Sequence, residues 1–214
     1  MARIAGTSSD DTRERILDAA RAEFTERTYA GTSIRHIAEK AGVTTAALYY
    51  HFASKEAMLD AVVAPAIETL SAFADDAGAA HPCTPARLAG LIRRLVAVQA
   101  ANLNVFRVLI RDPSAVKALG DEHRIKRVLG RVERALADSD DPLVLLRHRC
   151  ALGAINGGLV LSAHAREAAE GPAAHTHPLT FSLDELRVIG DAALAVLGIL
   201  DAPAPLGRPK ERTR

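Results

Sequence analysis

The sequence contains no tryptophan, only two cysteines and almost no net charge. Cys83 and Cys150 lie far apart without C-x-x-C spacing. That excludes a framework of bridges and fits reduced, buried or inert thiols in a reducing compartment. Lys and Arg number 27 against 26 Asp and Glu, so global charge lends no support to binding a polyanion, and any basic footprint must come from local placement. The first thirty residues hold no apolar run of signal-peptide length. The most apolar long stretch, Leu143 to Ala165, is broken by Arg147, His148, Arg149, Asn156 and three glycines. These absences predict a cytoplasmic protein with no membrane partner. A phosphate-cradling glycine loop is also missing, and nothing in the sequence asks for a cofactor or a metal.

No segment alternates apolar and polar residues over strand length, whereas almost every segment has helical periodicity. With 214 residues, 49% of them hydrophobic, the chain can bury a sizeable core without staples, and the expected class is all-α. Asp11 and Glu14 stand at capping-box spacing before a first helix whose apolar face is Ile16, Leu17, Ala20 and Phe24. Thr32 or Ser33 caps a second helix with Ile34, Ile37, Ala38 and Ala41 inward and Arg35, Glu39 and Lys40 outward. Gly42 ends it in the left-handed conformation, and Thr44 caps a third helix from Thr45 to about His51. A fourth begins after Ser54, and Pro65 kinks or ends it. Further helices are expected at Pro85 to Ala101, Asn104 to Ile110, Ser114 to Ala137, Pro142 to about Ala169 and Asp184 to Leu200, with a loop from Glu170 to Ser182.

The resulting organisation is a flexible N-terminus over 1–10, a helix-turn-helix unit over 11–55, a helical domain over 56–200 and a flexible basic tail over 201–214. In such a unit the second helix of the pair enters the major groove of DNA with its N-terminal residues at base edges. Here those residues are Thr44, Thr45, Ala46 and Ala47, whose hydroxyls suit bases or phosphate and whose methyls suit thymine. Arg35, near the start of the helix before, can reach a guanine or a phosphate, and Thr32 and Ser33 lie at that same helix start. Tyr49, Tyr50, His51 and Lys55 supply donors for phosphate contacts that set register. Leu48 and Phe52 are core residues that hold the unit together. Basic and acidic residues nearly cancel over the first sixty positions, eight against nine, so one unit alone would bind weakly. That argues for a dimer.

Taken together, the helix ending near Phe24, Thr32-Ser33-Ile34 with Ile37-Ala38, Ala41-Gly42-Val43-Thr44, Leu48-Tyr49-Tyr50-His51-Phe52 and Ser54-Lys55-Glu56 with Leu59 resemble the TetR (tetracycline repressor) family. The motif covers about the first quarter of the chain. The resemblance implies a homodimeric transcriptional regulator, most often a repressor of a palindromic operator, in which Tyr49 and Lys55 grip the DNA backbone. It departs at Thr28, where the family often has glycine. A β-branched residue is costly at positive φ, so either that turn differs or Thr28 adopts another conformation.

The resemblance further implies that the last two helices form the dimer interface. Gly153, Ala154, Gly157 and Gly158 in one and Ala192, Ala193, Ala195 and Gly198 in the other permit close helix approach. It also implies a pocket for a small-molecule effector between Pro65 and Ala165, for which Gln99, Asn102, Phe106, His148 and Asn156 are the candidate residues. With only Phe73, Phe106 and Phe181 as aromatics beyond the front unit, that pocket is expected to be aliphatic. Arg107 and Arg111 on the short sixth helix could hold an anion, but the solvated reading is preferred. Two other readings stand beside this one: an interaction protein whose front unit docks protein or nonspecific DNA, and a helical enzyme. For the latter, Ser114-x-x-Lys117 lacks the companion motifs of penicillin-binding enzymes, and His175 and His177 sit in a proline-containing loop without carboxylate or cysteine support for a metal.

Overall fold

In a computed structural model the described residues are 9–79, 84–119, 122–170 and 180–199. Cys83, the loop with His175 and His177, the tail 201–214 and all but two residues of the segment 1–10 lie outside them. The described residues form helices with no strand. They are α1 (Ser9–Gly31), α2 (Ile34–Ala41), α3 (Thr45–His51), α4 (Lys55–Gly78), α5 (Pro85–Ala101), α6 (Leu103–Arg111), α7 (Pro113–Ala118), α8 (Glu122–Ala137), α9 (Pro142–Glu170) and α10 (Leu183–Val196).

The front core is built from Ile16, Ala20 and Phe24 of α1, Ile37 of α2, Leu48 of α3 and Met58 and Leu59 of α4, each at most 1% exposed. Complete burial of such aliphatic or aromatic side chains stabilises by about 1.5–3 kcal/mol apiece, which is how the short α2 and α3 stay folded against α1 and α4. α4 leaves this core and runs on into the back domain, so the expected boundary at residue 55 falls at the first residue of a continuous helix. Pro65 neither ends nor splits α4. It stands on the exposed side, where the Ala61 carbonyl deprived of its partner can meet water, while Val62, Val63, Ala66, Ile67, Leu70 and Phe73 keep the buried stripe unbroken. α4 is also long and apolar enough to cross a membrane, yet half of its most apolar window is buried in the fold.

The single basic helix expected from Ser114 to Ala137 is two, α7 and α8. α8 lies along α4, and its charges are met there: Arg124 pairs with Asp60 at 3.5 Å and Arg131 with Asp75. α9 packs on α10, and α10 also packs on α5. α9 and α10 approach closely at Gly158, where a Cβ would come within 2.9 Å of Ile189. The opposite side of α9 carries no cover: Leu143, Leu146 and Leu161 are 77, 52 and 69% exposed. Cys150, expected to be buried or inert, is exposed in the same helix.

Candidate nucleic-acid interface

The α2–α3 pair is fixed by caps at every end. Ser33 accepts from the His36 N–H at 3.2 Å while His36 Nδ1 accepts from the Ser33 N–H at 3.3 Å, a capping box with histidine in the reciprocal role. Gly42 is left-handed (φ 65°, ψ 37°), and its N–H and that of Val43 close onto Glu39 and Ala38 carbonyls, a Schellman ending. Arg15 of α1 donates to the Ala41 carbonyl at 2.6 Å, neutralising the negative end of α2. Thr44 caps α3 by accepting from the Ala47 N–H at 3.1 Å, which leaves its own hydroxyl hydrogen free to donate.

These caps present one continuous outer face. Thr44, Thr45 and Ala46 are exposed, Ala47 and His51 half-buried, and Tyr49 and Tyr50 are 54 and 83% exposed, while Leu48 and Phe52 are buried beneath them as expected. Arg35 is exposed and paired with Glu39 at 2.8 Å. Such an open pair contributes little and yields readily to a stronger anion. Ser33 lies on the same outer side. Thr32 does not: it is 3% exposed, and its hydroxyl donates inward to the carbonyls of Glu23 and Thr28.

Lys55 has a more internal role than its place in the sequence indicates. Its ammonium donates to the carbonyls of Tyr29 and Thr32 at 2.9 and 2.8 Å and lies 4.1 Å above the Tyr29 ring. Next to it the Tyr29 hydroxyl donates to Glu56 at 2.8 Å. Burial first, and then the Glu56 carboxylate, push the Tyr29 phenol above its ordinary range. Lys55, Glu56 and Tyr29 thus bolt the end of α1 to the start of α4, leaving one ammonium hydrogen of Lys55 for an outside acceptor.

Comparison with known proteins matches this unit. Residues 16–62 fit the family model described as bacterial regulatory proteins, tetR family. The HTH-type transcriptional regulator SrpR of Pseudomonas putida is 42% identical over 64 residues, 30% of this chain and 30% of SrpR. The HTH-type transcriptional repressor KstR2 of Mycobacterium tuberculosis is 45% identical over 60 residues, 28% of this chain and 30% of KstR2. The matched stretch therefore spans about 30% of the length of these relatives. Among solved structures, SCO3833 of Streptomyces coelicolor, a member of the TetR transcriptional regulator family, superposes with a TM-score of 0.62 at 27% identity over 94% of both chains. PfmR of Thermus thermophilus gives 0.60 at 23% identity, over 86% of this chain and 97% of its own. Residues 16–62 form a TetR-family helix-turn-helix unit.

Near the end of α1 the backbone kinks at Thr28 and keeps a glycine-like shape without glycine. Thr28 stands at φ 66°, ψ 165°, a region that only glycine occupies freely and that costs another residue about 1–3 kcal/mol. Its surroundings hold it there. The Thr28 hydroxyl accepts from the Gly31 N–H at 3.3 Å and hydrogen-bonds the Asp112 carboxylate. Asp112 also accepts from the Ala30 N–H at 2.7 Å. Burial alone would raise the Asp112 carboxyl, but the bonds from the Ser114 hydroxyl, the Ala30 and Ser114 N–H groups and Thr28 outweigh it and hold the group below its ordinary value.

The back-domain candidates lie on α5, α6 and α9 and at the α5–α6 joint. Gln99, Phe106 and His148 are buried and Asn102 and Asn156 half-buried. Gln99 Oε1 and His148 Nε2 lack partners, while His148 Nδ1 contacts the Val144 carbonyl at 2.9 Å. Of the five, only Asn102 lines a cleft of about 300 Å³ between the front unit and the back domain, with Arg21, Val62, Pro65, Ala66 and Asn104. Arg107, read as solvated, is 3% exposed and paired with Glu167. Ser114 of the Ser-x-x-Lys match donates to Asp112 as part of the α7 cap. Among the described residues no group of three or more His, Cys, Asp or Glu side chains gathers to hold a metal. His36, Arg15 and Asp112 are the working residues that the sequence reading passed over. The Ser33–His36 spacing was the one available signal, since a histidine can stand in for Glu or Gln in the box.

Proposed function

We propose that this chain is a cytoplasmic, homodimeric transcriptional repressor that binds a palindromic double-stranded DNA operator and releases it when a small molecule enters the domain over residues 56–200. The observation that carries the reading is the outer face of α3, with Thr44, Thr45 and Ala46 uncovered at its N-terminus, tyrosines alongside and Leu48 locked beneath. α3 enters the major groove, with Thr44 to Ala47 and Arg35 at base edges. Ser33, Tyr49, Tyr50, His51 and the remaining hydrogen of Lys55 hold phosphates, and Thr32 supports the turn from inside.

Dimerisation through α9 and α10 is supported by the uncovered stripe on α9, in which Leu143, Leu146, Cys150, Gly153, Gly157 and Leu161 recur at steps of three and four. Leu183 and Val188 of α10, 85 and 60% exposed, extend the apolar surface. Two-fold pairing sets recognition helices about one turn of DNA apart, 34–36 Å or somewhat more. Release by an effector is supported by the cleft beside Asn102, which touches α1, α4 and the α5–α6 joint. A ligand wedged there must alter how the front unit sits on the back domain. The experiment is a gel shift with duplex DNA from upstream of the chain's own gene across a salt series. A sequence-specific complex that weakens as salt rises is expected; binding indifferent to sequence would reject the repressor reading.

A further inference from the structure

We propose that Asp112 is a positioning residue for DNA binding: from the α6–α7 junction it holds the end of α1, from the kink at Thr28 to the turn into α2, in the conformation that presents the α2–α3 pair. This rests on the DNA-binding reading above.

The two carboxylate oxygens divide their work between two bodies. Oδ1 accepts from the Ser114 N–H and hydroxyl at 2.9 and 2.5 Å, closing the start of α7. Oδ2 accepts from the Ala30 N–H at 2.7 Å, 82 residues away in the chain. Ala30 lies two residues past Thr28, whose backbone is in glycine territory and whose hydroxyl bonds the same carboxylate. Thr32, which closes that turn, starts the connection into α2 and gives its carbonyl to Lys55. A turn of this shape does not hold itself with threonine in it, so the orientation of α2 and α3 depends on a group that belongs to the back domain.

Asp112 is also well placed to pass on movement. It follows directly on α6, whose Arg107 is locked to Glu167 of α9 by two hydrogen bonds. α6 is thus fastened by charged groups to α9 on one side and to the α1–α2 turn at its end, only nine residues long and so about 13 Å at 1.5 Å per residue. A shift of α6 against α1 cannot leave the Asp112–Ala30 bond unchanged.

An alternative is that Asp112 serves only as the cap of α7. Asp112→Ser separates the two, because serine caps a helix about as well as aspartate but is too short to reach Ala30. Full-length wild type, Asp112→Ser, Thr28→Gly and the double variant are compared by fluorescence anisotropy on the upstream duplex, and by amide hydrogen exchange of Ala30 to Ser33 without DNA. Asp112→Ser is expected to weaken DNA binding by at least about fivefold, the effect of losing one hydrogen bond that fixes the turn, and to speed exchange at Ala30. In the Thr28→Gly background, where the turn needs no clamp, the same change should cost less than about twofold. Asp112→Asn, which keeps the side-chain volume with a single acceptor oxygen, replaces Asp112→Ser if that variant does not fold. Wild-type affinity together with wild-type exchange at Ala30, or a loss that Thr28→Gly does not reduce, would overturn the assignment. If wild type itself forms no DNA complex, the DNA-binding reading fails separately, and unchanged exchange at Ala30 in Asp112→Ser still rejects the clamp.

Discussion

Arg107 and Glu167 meet inside the fold in a fork of two hydrogen bonds, at 2.5 and 3.1 Å, with the guanidinium 3% exposed. Sixty residues separate them in sequence, and the pair joins α6 to α9. Two charges taken out of water in this way stabilise little as a pair, but each is costly alone. Arg107→Met should therefore destabilise the fold by about 3 kcal/mol by leaving a carboxylate without its main partner. Arg107→Met with Glu167→Leu should recover most of that loss. Urea unfolding followed by circular dichroism reads both midpoints, and a single variant as stable as wild type would contradict the buried-pair account.

The outer tyrosines and Lys55 should separate in their effects. Tyr49 and Tyr50 touch little of the fold, apart from an edge contact between the Tyr50 and His51 rings. Tyr49→Phe and Tyr50→Phe should leave stability within about 0.5 kcal/mol of wild type, while each lost phosphate bond weakens DNA binding by roughly three- to tenfold. Lys55→Ala should lower both, since it opens the carbonyls of Tyr29 and Thr32 as well as removing a phosphate donor. Thermal melts run beside anisotropy titrations test this. A Lys55→Ala protein with an unchanged melting temperature would show that the internal bonds contribute nothing.

What the sequence disclosed follows the range of the interactions involved. The all-α class, α1 to α3, the Gly42 turn and the burial of Leu48 and Phe52 depend on residues within one or two helical turns of each other, and they are legible. Thr28 was not, because the group that holds its backbone is Asp112, far along the chain. Arg107 read as solvated for the same reason: its partner lies in α9. Cys150 reads from sequence as buried or inert because cysteine is usually buried, and only the fold reveals that it is exposed on α9. Lys55 reads from sequence as a phosphate donor, and its bonds to Tyr29 and Thr32 required knowing where α1 turns.

Acid should loosen the joint between the front unit and the back domain. The folded Asp112 carboxyl lies below its ordinary value, so its contribution to stability is complete above the unfolded value, about 3.9, and is lost as pH falls toward the folded one. Glu56 and Glu185 are shifted the same way, by backbone and side-chain hydrogen bonds at the starts of α4 and α10. Stability should be flat from neutral pH to about 5 and then fall below about 4. The fall should be shallower in Asp112→Asn, which has no proton to take up. Melting temperatures from pH 7 to 3 check the slope, and equal slopes in the two proteins would remove Asp112 from the linkage.

The glycines of α9 offer the sharpest test of how two copies would meet, because they have different surroundings. At Gly158 an added methyl group collides with Ile189 of α10 at 2.9 Å. Gly158→Ala should therefore destabilise the chain itself, by about 1–3 kcal/mol if Ile189 cannot yield, and Ile189→Val should relieve part of it. At Gly157 and Gly153 nothing lies within 4 Å. Gly157→Ala should leave an isolated chain unharmed, or more stable by up to about 1 kcal/mol through helix propensity. Gly157→Arg places a long cation in the apolar stripe between Gly153 and Leu161 without touching the chain's own core. In sedimentation velocity, wild type should run as a dimer and Gly157→Arg as a folded monomer that has also lost most of its DNA affinity, since one recognition unit with balanced charge holds DNA weakly. A Gly157→Arg protein that remains dimeric would move the interface off this face of α9.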